Sequence, residues 1–179
     1  MMLQKLKKIS SKQLFENNWW QYRVDDYTWP DGSVHEYHYV RTSGSTMIIP
    51  RLNETTFVLT RQYRYLNGKV SLEFPGGGMK QGLTVEENAR AELKEEAGYI
   101  AEKLTELGTF NPFNGVTDEI STVLLADGLE FIGGQPEPSE EFEIVNLSFN
   151  DINEKIKTGE LWDGMSLASW VLYLTRREL

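Results

Sequence analysis

Glu92, Glu95 and Glu96 stand at i, i+3 and i+4 in the segment ENARAELKEEAGYI. On a helix that spacing brings three carboxylates to one face, within reach of one another. Like charges so close are destabilising unless water solvates them or a cation lies between them. A hard divalent ion such as Mg²⁺ fits, because it takes carboxylate oxygen and is often shared with substrate phosphates. The plain alternative is a solvated acidic helix face, since Glu is a common helix former. Context separates the two. Directly before the helix runs EFPGGGMKQGL, where Gly76, Gly77 and Gly78 permit positive φ and a close approach of the backbone to a bound group.

Several elements must position these groups. A strand is predicted over 70–74, ended by Pro75. The Thr84 and Glu87 pair has the spacing of a capping box, Val85, Ala89, Leu93 and Ala97 form an apolar stripe, and Gly98 suits the C′ position. Upstream, 1–15 reads as a lead-in strand or short helix. Two aromatic strands follow over 20–25 and 34–40, joined through the turn Trp29-Pro30-Asp31-Gly32. His35 and His38 lie an odd number apart on the second strand, so they face opposite sides and make a poor metal pair. Strands at 46–49 and 56–60 lead into Arg61-Gln62-Tyr63-Arg64-Tyr65, and Asn67-Gly68 marks a hairpin turn. Downstream come a strand over 103–110, a loop over 111–119, a buried strand over 120–126, an acidic loop over 133–141 and a strand over 142–147. A helix over 150–158 follows, then one over 165–176 whose Leu167, Ala168, Val171, Leu172 and Leu174 predict a packed element. Strands on both sides of a central helix, with two helices at the end, predict an α/β fold with a mixed sheet covered on both faces.

Composition narrows the chemistry. The chain has 179 residues, enough for one domain with an appended element, and a formal charge of −9. That charge argues against a nucleic-acid binder, which needs a basic stripe, and leaves an anionic substrate to be attracted by local Arg, Lys or metal. With no cysteine there is no disulfide, thiolate zinc site or cysteine nucleophile. No apolar run reaches membrane-spanning length, and 1–14 lacks a continuous apolar core of the signal-peptide kind, so the cytoplasm is the expected compartment.

The stretch from Gly77 to Tyr99 resembles the Nudix box: a glycine, five residues, Glu, seven residues, then Arg-Glu-apolar-x-Glu-Glu-x-Gly-apolar. Gly77, Glu92, Leu93, Glu95, Glu96, Gly98 and Tyr99 fall on the pattern without a gap. Leu83 stands where the first Glu is expected, and Ala91 where the Arg is expected. Arg90 is one position away, about 100° round the helix. These departures bear on rate rather than on activity as such. The RQYRY segment is similar to one common in the ADP-ribose and sugar-nucleotide branch of the family.

The resemblance implies a Nudix α/β/α sandwich over 46–179, with an N-terminal antiparallel β-hairpin over 1–45 as a dimerisation element. It implies hydrolysis of a nucleoside diphosphate sugar to a nucleoside monophosphate and a sugar phosphate. Mg²⁺, or Mn²⁺ in its place, would be held by Glu92, Glu95 and Glu96 with the Gly77 region nearby, and Glu96 would also be catalytic. Glu73, at a strand end, would lie beside the metal. Gln62 and Arg64 share one strand face while Arg61 and Tyr63 share the other, so Arg64 or Arg61 could clamp a diphosphate through its planar fork. Trp19, Trp20 and Trp29 read first as core or interface anchors; Trp20 and Trp29 are alternatively base-stacking platforms. Glu140 and Glu141 lie where related enzymes often place a catalytic Glu on a mobile loop. Many relatives carry a second Pro where Asn114 stands, which moves the expectation from ADP-ribose towards other nucleoside diphosphate sugars. The alternatives are an ADP-ribose pyrophosphatase and a Nudix-like sensor that binds without cutting. An isoprenoid diphosphate isomerase of this fold needs a cysteine that the chain lacks. The expected partners are the sugar nucleotide and a second copy of the chain, with no nucleic acid and no membrane.

Overall fold

A computed structural model describes residues 5–134 and 141–176. They fall into two units: the chain up to Ser43 with Asn111–Glu119, and Gly44–Phe110 with the chain from Ile120 onward.

The first unit is a three-stranded antiparallel sheet, β1 (Lys7–Glu16), β2 (Gln21–Thr28) and β3 (Val34–Arg41), in that order. The expected hairpin is present as β2 and β3, and the lead-in proves to be a third strand along β2. The 111–119 loop joins this unit through Val40 N–H to Val116 O and Tyr37 hydroxyl to Gly115 O. The aromatics here are not core. Trp19 is 77% exposed, and Trp20 and Trp29 are also exposed. Trp29 packs edge-on against Tyr27 and His35, while His38 stacks on Tyr22. Each histidine thus has its own aromatic neighbours, as opposite faces require.

The second unit carries a mixed seven-stranded sheet, built from β4 (Ser45–Asn53), β5 (Thr56–Arg64), β6 (Lys69–Glu73), β7 (Gly76–Gly78), β8 (Tyr99–Phe110), β9 (Ser121–Phe131) and β10 (Glu143–Ser148). Its main path is β10-β5-β4-β9-β8, with β4 and β9 parallel. Alternation sends β4, β5 and β9 residues to two separate cores. Met47, Ile49, Phe57, Leu59, Val123 and Leu125 face α2 (Phe149–Lys157) and α3 (Gly164–Arg176). Ile48, Val58, Leu124 and Ala126 face α1 (Val85–Ala97), through its Ala89, Leu93 and Ala97. Helices therefore cover both faces, giving the α/β/α sandwich.

On α3 the packed face is Ser166, Ser169, Trp170 and Tyr173, while Val171 and Leu174 are exposed. The expected apolar set spans too wide an arc to bury at once. The two small serines instead let the helix sit close, and Trp170 anchors it, stacking on Phe74 and Tyr173 and meeting Phe57 edge-on. Among the described residues no helix is long and apolar enough to cross a membrane.

The feature that positions the site is a split in the sheet. β4 and β5 pair only near their turn, at Arg51 with Phe57 and Asn53 with Thr56, and then diverge. The chain from β6 to β7 fills the gap. β6 pairs with β5, the buried Pro75 passes across while its carbonyl accepts from Ile48 N–H, and β7 pairs with β4. The glycine run is thus a strand, not a turn, and none of its residues has positive φ.

Helix α1 begins at the expected capping box. Thr84 Oγ1 accepts from Glu87 N–H (3.3 Å), and the Glu87 carboxylate accepts from Thr84 N–H (2.8 Å). Gly98 ends it at φ 72°. A second box, Ser148 with Asp151, starts α2. Hydrogen bonds from Thr84 hold the Glu87 carboxyl below its ordinary value of 4.5, and those from Ser148 hold Asp151 below 3.8. A lowered folded-state pKa gives stability that is full above the ordinary value and lost as pH falls through the folded one. Thermal unfolding against pH should therefore show a shallower fall below pH 4.5 for Glu87→Gln than for wild type. At neutral pH Thr84→Ala should cost about 1 kcal/mol. Parallel acid limbs would contradict the role given to Glu87.

Candidate active site

Glu73 closes β6 with its side chain buried, only 4% exposed. An uncompensated carboxylate there would cost several kcal/mol or so. Arg64, on the neighbouring strand, compensates with a two-pronged contact: Nε donates to Oε1 at 2.8 Å and Nη2 to Oε2. Gln62 Nε2 donates to the same carboxylate at 3.3 Å. Gln62 and Arg64 thus share a face as expected, and Arg61 on the other face pairs with Glu143 (3.2 Å) and Glu160 (3.4 Å). Hydrogen bonding to Glu73 raises the Arg64 pKa further despite burial, and the charges of Glu73, Asp163 and Glu96 add to it.

One residue past Pro75, Gly76 N–H donates to Glu96 Oε2 at 2.9 Å. Gly77 lies against Glu92 so closely that a Cβ there would stand 2.7 Å from Oε2. The expected close approach is real, though the group approached is the chain's own carboxylate. Glu92 and Glu96 are 7% and 8% exposed, and Glu95 is half-buried. Lys80 Nζ lies 2.6 Å from Glu95 Oε2 and 3.2 Å from Glu92 Oε1, so a cation does sit between two of the three. Desolvation pulls the Lys80 pKa down, but hydrogen bonding to Glu95 and the Glu92 charge outweigh it, and the net displacement is upward.

Asn88, one turn before Glu92 and fully buried, ties the loop to this face. Its Nδ2 donates to Thr46 Oγ1 and its Oδ1 accepts from Lys80 N–H, each at 2.9 Å. Lys80 and Asn88 both escaped the sequence reading. The signal for Asn88 was present: a polar residue at i−4 from Glu92, on the carboxylate face. Arg90 points away, with Nη1 on Ala101 O (2.6 Å) and Nη2 on Glu86 (2.8 Å), as its angular offset requires.

Glu141 is exposed just before β10 and makes none of the bonds that join Arg64, Glu73, Lys80 and the α1 glutamates. Glu140 lies outside the described residues. Trp20 lines an open cleft of about 410 Å³ in the first unit, together with Trp19, Arg23 and Arg41.

For a metal ion the donor chemistry fits: carboxylate oxygens beside glycine backbone are what a hard divalent cation takes. Among the described residues, however, no three acidic or histidine groups converge as a ready cage. Lys80 holds two of the carboxylates and a backbone N–H holds the third.

The chain belongs to the NUDIX family, whose domain matches residues 41–167. It is similar to the ADP-ribose pyrophosphatase of Bacillus subtilis, with 28% identity over 174 residues, 96% of this chain and 94% of that one. It is also 30% identical over 175 residues to the methanol dehydrogenase activator of Bacillus methanolicus, covering 96% and 94% of the two chains. Similarity to the GDP-mannose pyrophosphatase of Escherichia coli is 28% over 178 residues, 93% of each chain. A solved ADP compounds hydrolase shares the fold at a TM-score of 0.84 and 21% identity, over 100% of this chain and 96% of that one.

The three glycines separate fold from site. A Cβ at Gly76 would meet Thr46 O at 2.4 Å, one at Gly77 would meet the Glu92 carboxylate first, with Oε2 at 2.7 Å, and one at Gly78 nothing within 4 Å. Gly76→Ala should destabilise the fold by about 1–3 kcal/mol, the scale typical of overpacking, read as a lower melting temperature. Gly77→Ala should keep stability and lose pyrophosphatase turnover on the order of 10²-fold, the cost of misplacing a reacting group by about 1 Å. Gly78→Ala should change neither. Equal activity in the Gly77 and Gly78 variants would overturn this assignment.

Proposed function

We propose that the chain is a metal-dependent pyrophosphohydrolase that cleaves nucleoside diphosphate sugars. The observation that carries the reading is the gathering of buried Glu73, Glu92 and Glu96 around the β6–β7 crossing, beside the partly exposed Arg64 and Lys80. Pyrophosphatase-named relatives that align over nearly the whole chain support it. In the reaction, water adds its oxygen to one phosphorus and the P–O–P bond breaks. A nucleoside monophosphate and a sugar phosphate leave, and the water proton passes to a base.

The proposed metal ligands are Glu92, Glu95 and Glu96 with backbone of the Gly77 region. Mg²⁺ bound there, or Mn²⁺, would neutralise phosphate charge and lower the pKa of a water molecule. Gly76 N–H orients the Glu96 carboxylate. Glu73 fixes Arg64 in plane, leaving the exposed part of the guanidinium to meet a diphosphate. Arg61 is the weaker candidate for that role, since Glu143 and Glu160 already hold it. Trp20 and Trp29 are exposed aromatic faces suited to stacking on a base. Glu141, exposed and carboxylate-bearing, or Glu140 beside it in sequence, is the proposed proton acceptor. ADP-ribose is the second reading, favoured by the Bacillus subtilis relative. A homodimer through the first unit is also proposed, on the strength of exposed Phe15, Trp19, Trp29 and Tyr37, and sedimentation at micromolar concentration reads it directly: a monomer would rule it out.

The test is a panel of sugar nucleotides with Mg²⁺ or Mn²⁺, products identified by mass, run on wild type, Glu96→Gln and Glu141→Gln. Wild type should yield a nucleoside monophosphate and a sugar phosphate. Glu96→Gln should lose about two powers of ten or more in turnover. Glu141→Gln should slow single turnover by about 10²–10⁴ with binding nearly intact. Binding without cleavage across the panel would identify a sensor instead. Turnover of Glu96→Gln within a few-fold of wild type would remove Glu96 from the site.

A further inference from the structure

The geometry points to Lys80 as the built-in counter-ion of the α1 glutamates, a tethered ammonium that a divalent cation must displace in order to bind. The inference rests on the proposed metal ligation by Glu92 and Glu95 and concerns what this chain adds to it.

Three observations converge on Lys80. Its ammonium touches both Glu95 and Glu92, at 2.6 and 3.2 Å. Its backbone is fixed independently of the side chain: Lys80 N–H donates to the fully buried Asn88, and the preceding Met79 N–H donates to Gly44 O at 2.9 Å. The side chain itself is 39% exposed, so the ammonium can swing to water without breaking that anchorage. Arg90, the nearest arginine in sequence, is committed to Glu86 and Ala101 and does not share the task.

Displacement follows from charge and distance. A divalent ion at its usual ~2.1 Å from the same Glu95 oxygen would stand within about 5 Å of an ammonium left in place. Like charges that close, in a half-buried pocket, disfavour joint occupancy. Lysine suits the role, because its ammonium is a compact charge on a flexible stem, easily rehydrated once released. Without metal, Lys80 keeps the carboxylate face from repelling itself apart; with metal, it is expelled towards solvent, where an anionic substrate arrives. The same residue thus stabilises one form of the site and weakens ion binding to it.

The test compares wild type with Lys80→Met, which keeps the stem, and Lys80→Arg, which keeps the charge. Mn²⁺ alone is titrated by electron paramagnetic resonance of the free ion, and melting temperature is read with and without Mn²⁺. Lys80→Met should bind Mn²⁺ about two- to fivefold more tightly, the scale of a partly exposed ion pair removed. Its melting temperature without metal should drop and be restored by Mn²⁺, so that the metal-induced rise exceeds that of wild type. Lys80→Arg should stay near wild type in both. Weaker or unchanged Mn²⁺ binding by Lys80→Met, with wild type binding normally, overturns the counter-ion role and leaves the metal site standing. No Mn²⁺ binding by wild type overturns both.

Discussion

Carboxylates do not collect in a protein interior without opposite charge or hydrogen-bond donors, and that constraint organises this molecule. The chain is acidic overall, yet it buries Glu73, Glu92 and Glu96 near one strand crossing. Each is compensated by a different device. Glu73 has the guanidinium of Arg64, Glu96 has the N–H of Gly76, and Glu92 has the ammonium of Lys80. A hydrogen-bonded pair breaks costly when one partner is removed, so these contacts are coupled to the fold rather than added to it. The surrounding architecture is what brings the partners within reach.

That architecture is a sheet opened on purpose. Because β4 and β5 separate beyond Arg51, the strand entering from β5 can cross to β4 at Pro75 and present glycine where side chains would block the helix. The helix on one side is fixed by its capping box and by Ala89, Leu93 and Ala97 in the apolar layer. On the other side Ser166 of α3 donates nothing apolar at the crossing; its hydroxyl accepts from Phe74 N–H at 2.9 Å, satisfying a buried donor just before the proline. Two buried apolar layers, one under α1 and one under α2 and α3, flank the crossing. A loosely held carboxylate cluster would spread under its own repulsion.

Much of this was legible in the sequence, and the rest was hidden for identifiable reasons. Local rules carried α1 whole: Thr84 with Glu87, the stripe to Ala97 and Gly98 are all short-range signals that the structure keeps. The Nudix α/β/α sandwich was legible through the box motif, whose glutamates face the glycines as the spacing required. The close approach expected of those glycines is present, but the positive φ they permit is not used, because a triple glycine looks the same in a loop and in a strand pressed against a carboxylate. Only the partner strand decides. Lys80 carried no signal, since a lysine in a loop ordinarily faces water, and its contacts depend on where the loop folds back. The buried face of α3 was also set by tertiary fit, which favoured two small serines and Trp170 over the more apolar Val171 and Leu174. The first unit needed β1 to complete it, and a strand with no buried residue leaves almost no hydrophobic pattern to read.

In the proposed function, the α1 face beside the glycine strand is where a divalent cation binds and where pyrophosphate cleavage is organised. Anomalous scattering from Mn²⁺-soaked crystals tests it most directly, because it locates the ion without reference to activity. The expected result is a peak bordered by carboxylate oxygens of Glu92, Glu95 and Glu96, with the Lys80 ammonium withdrawn from between Glu92 and Glu95. A Mn²⁺ peak elsewhere on the protein, with the Lys80 contacts unchanged, would contradict it.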